Sequence, residues 1–297
     1  MANTIGWGQA AVNNTIDWGK GKTNNTIGWG TIYSSSPYGD TDLVGTPAGD
    51  ADALAFISAA AITDATQKSA IDKLVVDLKG YGIWTKMKAI YPFCGGSAFA
   101  HKFNLRSPID SDSAFRLVFN GGWTHSSTGA KPNGTNAYAN TFFKGGNFTT
   151  KDNAHMSYYS RTDFNGSVMV DMGVDDSPSN SNIRSRDGNM TYIAFNGGAF
   201  LQGASANSLG LFMSNRVALN TLSGWKNSTK FSGISSTSIN SNAVPYALSA
   251  YNNATSPIFY SVRECAFSSF GDGLTDTEAA NYYTAVQAFQ VSLSRNV

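Results

Sequence analysis

From Tyr91 onward the chain is written in short apolar runs that turn-forming residues interrupt, and this limits its fold more than any other feature. The runs are F-R-L-V-F (Phe115 to Phe119), A-H-M-S-Y-Y-S-R (Ala154 to Arg161) and S-V-M-V-D-M (Ser167 to Met172). T-Y-I-A-F (Thr191 to Phe195), L-G-L-F-M-S (Leu209 to Ser214) and Y-A-L-S-A-Y (Tyr246 to Tyr251) continue the series, with Gly, Asn, Ser and Pro between them. Many short strands with such breaks predict a mainly β fold, a sandwich of the jelly-roll kind. Charged residues are only 14% of the chain, against ~25% in ordinary soluble domains. Its surface is therefore made polar by amides and hydroxyls, as is common in extracellular and virion proteins.

Helical patterns flank this region. Asp50 is placed to cap a first helix through Phe56 and Ile57. Thr63 or Asp64 is placed to cap a second, in which Ala70, Ile71, Leu74, Val75 and Leu78 recur at three and four. Gly80 and Gly82 end it. Near the C-terminus, Thr275 and Glu278 form a T-x-x-E capping box. They open a helix over 275–295 whose buried stripe is Ala279, Tyr282, Val286, Phe289 and Leu293. The expected organisation is an arm over 1–33, a Ser/Pro/Gly linker over 34–49, a helical segment over 50–82 and a jelly roll over 83–297.

The arm is a repeat. N-T-I-G-W-G from Asn3, N-T-I-D-W-G from Asn14 and N-T-I-G-W-G from Asn25 recur at a step of eleven residues. Ile5/Trp7, Ile16/Trp18 and Ile27/Trp29 each sit two apart, which is strand spacing and puts both side chains on one face. So thin an apolar stripe cannot fold alone, and a tryptophan left in water forfeits roughly 2–3 kcal/mol of burial. The six residues are therefore expected to mediate attachment or oligomerisation, through sister chains wound into a stalk or a larger assembly. A flexible low-complexity leader is the competing reading.

Several classes are excluded. Net charge is +1 without a basic cluster, so no nucleic-acid partner is expected. Met1 to Val12 lacks the basic and apolar regions of a secretory signal. No apolar run approaches the ~18 residues of a membrane span. Cys94 and Cys265 stand far apart, give neither a disulfide framework nor a metal cluster, and are expected as buried thiols. No metal or cofactor is called for.

The stretches "IDKLVVDLKGYGIWTKMKAIYPF" and "AFRLVFNGGWTHSSTGAKPNGTNAYANTFF", with the closing "GDGLTDTEAANYYTAVQAFQ", resemble virion structural proteins of tailed bacteriophages that carry a concanavalin-A-like (laminin-G-like) jelly roll. The resemblance covers roughly Asp50 to Val297, and the front repeats also look like those of phage virion proteins. It implies a fibre, spike or head decoration, localised to the virion after assembly in the host bacterial cytoplasm. A homotrimer and other virion proteins are the implied partners, and host-surface carbohydrate a further one.

Relatives with this jelly roll also include glycosidases, which need two carboxyl groups. This chain has two glutamates, Glu264 and Glu278, which do not form the paired-glutamate pattern, and Asp110/Asp112 reads as a turn. No catalytic residue is assigned; the alternative is a glycan-binding adsorption module without a structural role, with a glycan-degrading enzyme ranked below it. His101, His125 and His155 are widely separated in sequence, and no G-x-S-x-G or phosphate loop is present. Val174 to Asn182 offers oxygen ligands for Ca²⁺ but reads as a solvated loop. Glycan binding would use aromatic faces with amide and carboxylate groups, for which Trp123 with His125 and Asn133, or Trp225 with Asn227, are the candidates.

Overall fold

The computed structural model describes residues 49–297 apart from 232, 240–242 and 254, and, before residue 49, two short strands. These are β1 (Thr23–Asn24) and β2 (Tyr33–Ser34), an antiparallel pair. Ile5, Trp7, Ile16, Trp18, Ile27 and Trp29 lie outside the described residues. The chain divides into two compact units, Met1–Gly49 and Asp50–Val297. Every described helix belongs to the second unit.

That unit opens with α1 (Ala51–Ala59), capped by Asp50, and α2 (Ala65–Gly80), capped by Asp64 rather than Thr63. Then come β3 (Met87–Tyr91), a helical turn α3 (Ala98–His101), β4 (Val118–Asn120), β5 (Trp123–Ser126), β6 (Gly129–Pro132) and β7 (Tyr138–Asn140). The longer strands are β8 (Ala154–Ser160), β9 (Met172–Asp176), β10 (Ser179–Asp187), β11 (Met190–Gly197), β12 (Leu201–Ala204), β13 (Gly210–Arg216) and β14 (Thr221–Lys226). Short β15 (Thr229–Lys230), β16 (Ile234–Ser235), β17 (Ala247–Leu248) and β18 (Tyr251–Asn253) precede β19 (Cys265–Gly271) and the closing helix α4 (Asp276–Ser292).

The described strands of this unit form two sheets. One runs β12-β11-β10-β9-β17-β7-β4, with β18 alongside β9. The other runs β15-β14-β13-β8-β19-β6-β5, with β16 on β14 and β3 on β19. Pairing is antiparallel except for β18 on β9. Met156, Tyr158, Phe212 and Phe270 from the second sheet meet Met172, Ile183, Ile193 and Phe195 from the first in one buried cluster. This is the jelly-roll β-sandwich the run lengths predict.

A third layer covers the second sheet. Tyr159, Leu211, Met213 and Phe267 point the other way, against Phe56, Leu74 and Leu78 of α1 and α2 and Tyr282, Val286 and Phe289 of α4. The helical segment thus belongs to the same unit as the sandwich. Double coverage explains why every residue of β8, β13 and β19 is buried. It also explains the serines in these strands. Ser157 Oγ, Ser269 Oγ and the Tyr282 hydroxyl lie 2.7–2.8 Å from one another, a satisfied polar knot that fastens α4 to the sheet. The α4 capping box forms as expected, and Glu278 also pairs with Lys86 at 2.7 Å. The helix stops at Ser292, short of the expected 295, with Leu293 as its half-buried C-cap.

Several strand boundaries differ from the sequence reading, each at a residue with left-handed backbone, which an extended ladder cannot hold. Phe115 (φ 60°) delays β4 to Val118, Val168 (φ 53°) keeps Ser167–Asp171 out of β9, and Ser249 (φ 63°) splits Tyr246–Tyr251 into β17 and β18. Val174–Asn182, read as a solvated loop, is instead the β9–β10 hairpin. Among the described residues no group of three or more metal-ligating side chains converges there or elsewhere. Both cysteines are buried free thiols. No described helix is long and apolar enough to cross a membrane.

Candidate functional site

The residues that sequence reasoning nominated fall in two places. Trp123 and His125 lie on β5 at the sheet margin, where Trp123 is half-buried against Phe119 at a ring separation of 5.2 Å and stacks on His125 at 6.1 Å. The Trp123 indole N–H donates to the Asn120 carbonyl. Asn133 is near in the same hairpin, but its Oδ1 accepts the backbone N–H groups of Thr135, Asn136 and Ala137, and its Nδ2 donates to Asn136. It builds a turn and offers little to a ligand. Trp225 is 5% exposed beneath the helical layer, which leaves no ring face for a sugar. Asn227 sits at φ 53° and its Oδ1 accepts the Leu211 N–H at 2.8 Å. Trp225 and Asn227 are thus corrected from a sugar site to core and turn.

The histidines are not all apart, as their spacing in sequence suggested. His101 and His125 meet with their Nδ1 atoms 2.9 Å apart. Burial first, then the neighbouring His125 and Arg295, depress the His101 pKa to about 3. His155 is fully buried; its Nδ1 donates to the Asp272 carbonyl at 2.6 Å and its Nε2 lies 3.2 Å from Ser269 Oγ. A carbonyl can only accept, so Nδ1 carries the proton and Nε2 receives the serine hydroxyl. The pair has the contacts of an activated nucleophile, but both residues are closed to solvent and a substrate cannot reach them. Glu264 accepts from Thr128 and faces Arg161 at 3.3 Å, while Glu278 is held by Lys86 and the helix cap. Asp110 and Asp112 pair with Lys102 and Arg116 on the surface.

A different surface has the composition of a binding site. Alternation along β10 sends Ile183 into the sandwich core, so Asn182 and Arg184 face outward. Directly paired residues share a face. Tyr192 stands opposite Arg184, Gln202 follows Tyr192, and Asn180 stands opposite Asp175. Tyr251 joins the row at Gly173, the partner of Asn182. A Cβ on Gly173 would stand 2.9 Å from Val170 Cγ1 and 3.0 Å from Asn182 Cβ, so the close packing here needs glycine.

The Arg184 guanidinium lies 5.9 Å from the Tyr192 ring and 5.3 Å from Phe200, which is 37% exposed. Its Nη1 is 3.5 Å from Asp187, whereas its Nε has no hydrogen-bond partner. Neither does the Oδ1 of fully buried Asn182. Tyr251 is 7% exposed, with its hydroxyl beside Asn182 and its pKa pushed up to about 12, chiefly by burial and then by Asp175. An unmet acceptor and an unmet donor two residues apart on one outward face are costly in isolation. Both atoms are closed to solvent, Asn182 Oδ1 beside the Tyr251 hydroxyl and Arg184 Nε beside the Phe200 ring. Two clefts elsewhere, about 420 Å³ beside Ala65, Ser69 and Lys73 and about 350 Å³ beside Asn220, Ser235 and Asp276, have no aromatic lining. Sequence reasoning missed this face because it read 174–182 as a loop. The alternation was visible in S-N-I-R-S-R-D, where Ile183 separates Asn182 from Arg184.

No family model and no curated protein matches the chain. Among solved structures, it is similar to domain 4 of an extracellular arabinanase from Geobacillus stearothermophilus, in complex with arabinotriose. There the identity is 13%, the TM-score 0.47, and the match covers 66% of this chain and 98% of that domain. Similarity to a Trypanosoma rangeli sialidase in complex with 2,3-difluorosialic acid is at 9% identity and TM-score 0.46, over 73% of this chain and 39% of the other. The binding domain of botulinum neurotoxin serotype G gives 11% and 0.42, over 67% and 50%. The chain thus spans half or less of the latter two, and likenesses this distant assign no activity.

Proposed function

We propose that the Asp50–Val297 unit is a carbohydrate-binding module without catalytic chemistry. In this reading it is displayed by a structural protein of a tailed-bacteriophage particle, and the repeats of the arm attach it to the virion or to sister chains. The observation that carries the binding role is the outward face of β10 and β11, where Tyr192 and Phe200 flank Arg184 beside the unmet polar atom of Asn182. The C–H face of a sugar ring stacks on aromatic carbon while its hydroxyls pair with amide, carboxylate and guanidinium groups. The engaged glutamates and the sealed Ser269–His155 pair favour binding over turnover.

The full chain is expected to retain bacterial surface oligosaccharides on a glycan array. Tyr192→Ala is expected to weaken that binding about tenfold or more, on the ~1.5 kcal/mol of a well-placed aromatic contact. Binding unchanged by Tyr192→Ala, in protein with an unaltered circular dichroism spectrum, overturns the assignment of the face. The particle role rests on the Ile–Trp repeats and on the resemblance to phage virion proteins. Light scattering is expected to give the full chain the mass of a trimer and the Trp7→Ala/Trp18→Ala/Trp29→Ala variant that of a monomer. An identical mass for both proteins counts against assembly through the arm.

A further inference from the structure

We infer that the ligand of this face is an acidic oligosaccharide, with a sugar carboxylate held by Arg184. The inference rests on the carbohydrate reading of the face and adds the chemical class of the sugar. Arg184 is held in place by Tyr192 and Phe200, so its plane is set before a ligand arrives. Asp187 occupies Nη1 at 3.5 Å and leaves Nε without an acceptor, although the side chain is only 16% exposed. A partly buried cation with an unmet N–H gains most from an anionic acceptor, because charge and hydrogen bond are satisfied together. A neutral hydroxyl supplies the second only.

The other end of the face suits hydroxyls. Asn182 has a buried Oδ1 without a hydrogen-bond partner, and Asn180 and Asp175 sit opposite one another farther along β10 and β9. From Asn180 to Arg184 is four residues, about 13 Å at ~3.3 Å per residue, which suits a short oligosaccharide rather than one ring. Asp175 at the far end repels a carboxylate there and Arg184 attracts it here. The ligand is therefore oriented, with its acid toward the C-terminal end of β10. Arg186, the next cation on this strand, also has an Nε without a partner, but both of its terminal nitrogens are engaged, Nη1 by Asp163 at 3.3 Å and Nη2 by Asn189 at 2.7 Å.

Calorimetry on the full chain tests this with two probes of equal length, tetragalacturonic acid and neutral galactotetraose. The acid is expected to bind about tenfold or more tighter than the neutral sugar, with an affinity that falls as NaCl is raised. Arg184→Gln is expected to erase the difference between the two probes. Equal affinity of the two probes for the unaltered protein, which requires no variant to fold, overturns the acidic preference but leaves the carbohydrate reading standing. Failure of both probes, together with a silent glycan array, removes both readings. A preference for the acid that survives Arg184→Gln moves the carboxylate site away from this residue and overturns the inference.

Discussion

Asp171→Ala is expected to cost the sandwich about 3–5 kcal/mol, the usual consequence of leaving one member of a buried ion pair behind. Asp171 and Arg263 are both 0% exposed, and Arg263 Nη1 reaches the two carboxylate oxygens at 2.9 and 3.1 Å. The carboxylate also accepts the Ser261 hydroxyl and the Ser185 N–H, and the guanidinium donates to the carbonyls of Phe164 and Arg186. The pair therefore fastens the 164–171 and 261–263 segments to β10, next to the residues of the proposed binding face. Its loss strands a buried cation and frees the strand that positions Arg184. Chemical denaturation should show the drop, with a fall in Tm of about 10 °C or more. The double variant Asp171→Leu/Arg263→Met should lose less than Asp171→Ala alone, because no unpaired charge remains. A loss below about 1 kcal/mol for Asp171→Ala would mean that the stranded guanidinium finds another partner or water, and that the pair does not anchor β10.

Acid should destabilise the protein well before its carboxylates titrate. Burial, first among the causes, pulls the His155 pKa down to about 4, and burial followed by His125 and Arg295 pulls His101 to about 3. An unfolded histidine titrates near 6.5. The unfolded chain thus binds these protons first, and stability present above pH 6.5 is lost as pH falls toward the folded values. Between pH 7.5 and 5 the two histidines together account for a loss on the order of 4 kcal/mol, about half from each. Asp110, Asp163 and Glu278 have lowered pKa values and push the same way, but only below their unfolded values near 4. Urea melts at pH 7.5 and 5 read the difference, and His155→Gln should show a shallower slope. Equal stability at the two pH values excludes the buried neutral histidines as the cause.

The two effects mark where sequence reading succeeds and stops. Run length and turn residues announced the sandwich, because a strand buried on one or both faces must be short and apolar and its ends must turn. The caps at Asp50, Asp64 and Thr275 and the stripe through Tyr282, Val286 and Phe289 were legible for the same reason: they are local, and the hydrogen bonds they make lie within one turn. The β9–β10 hairpin was not, because Asp175 and Asn180 are polar on an outward face and read like solvent-exposed loop. Trp225 and Trp123 read alike as single tryptophans among polar residues, yet one is sealed under the helices and the other sits at a margin.

What the sequence determined by itself is everything carried by short-range periodicity: β-rich class, helix limits to within a few residues, the spacing of the Ile–Trp repeats, and thiols without partners. Only the tertiary structure decided which polar residues meet. It joined His101 to His125 across 24 positions and Asp171 to Arg263 across 92, and it set Arg184 between two rings. These contacts depend on strand register and on which sheet face a helix covers. Both are outcomes of the whole core packing at once, and no local window of residues contains them.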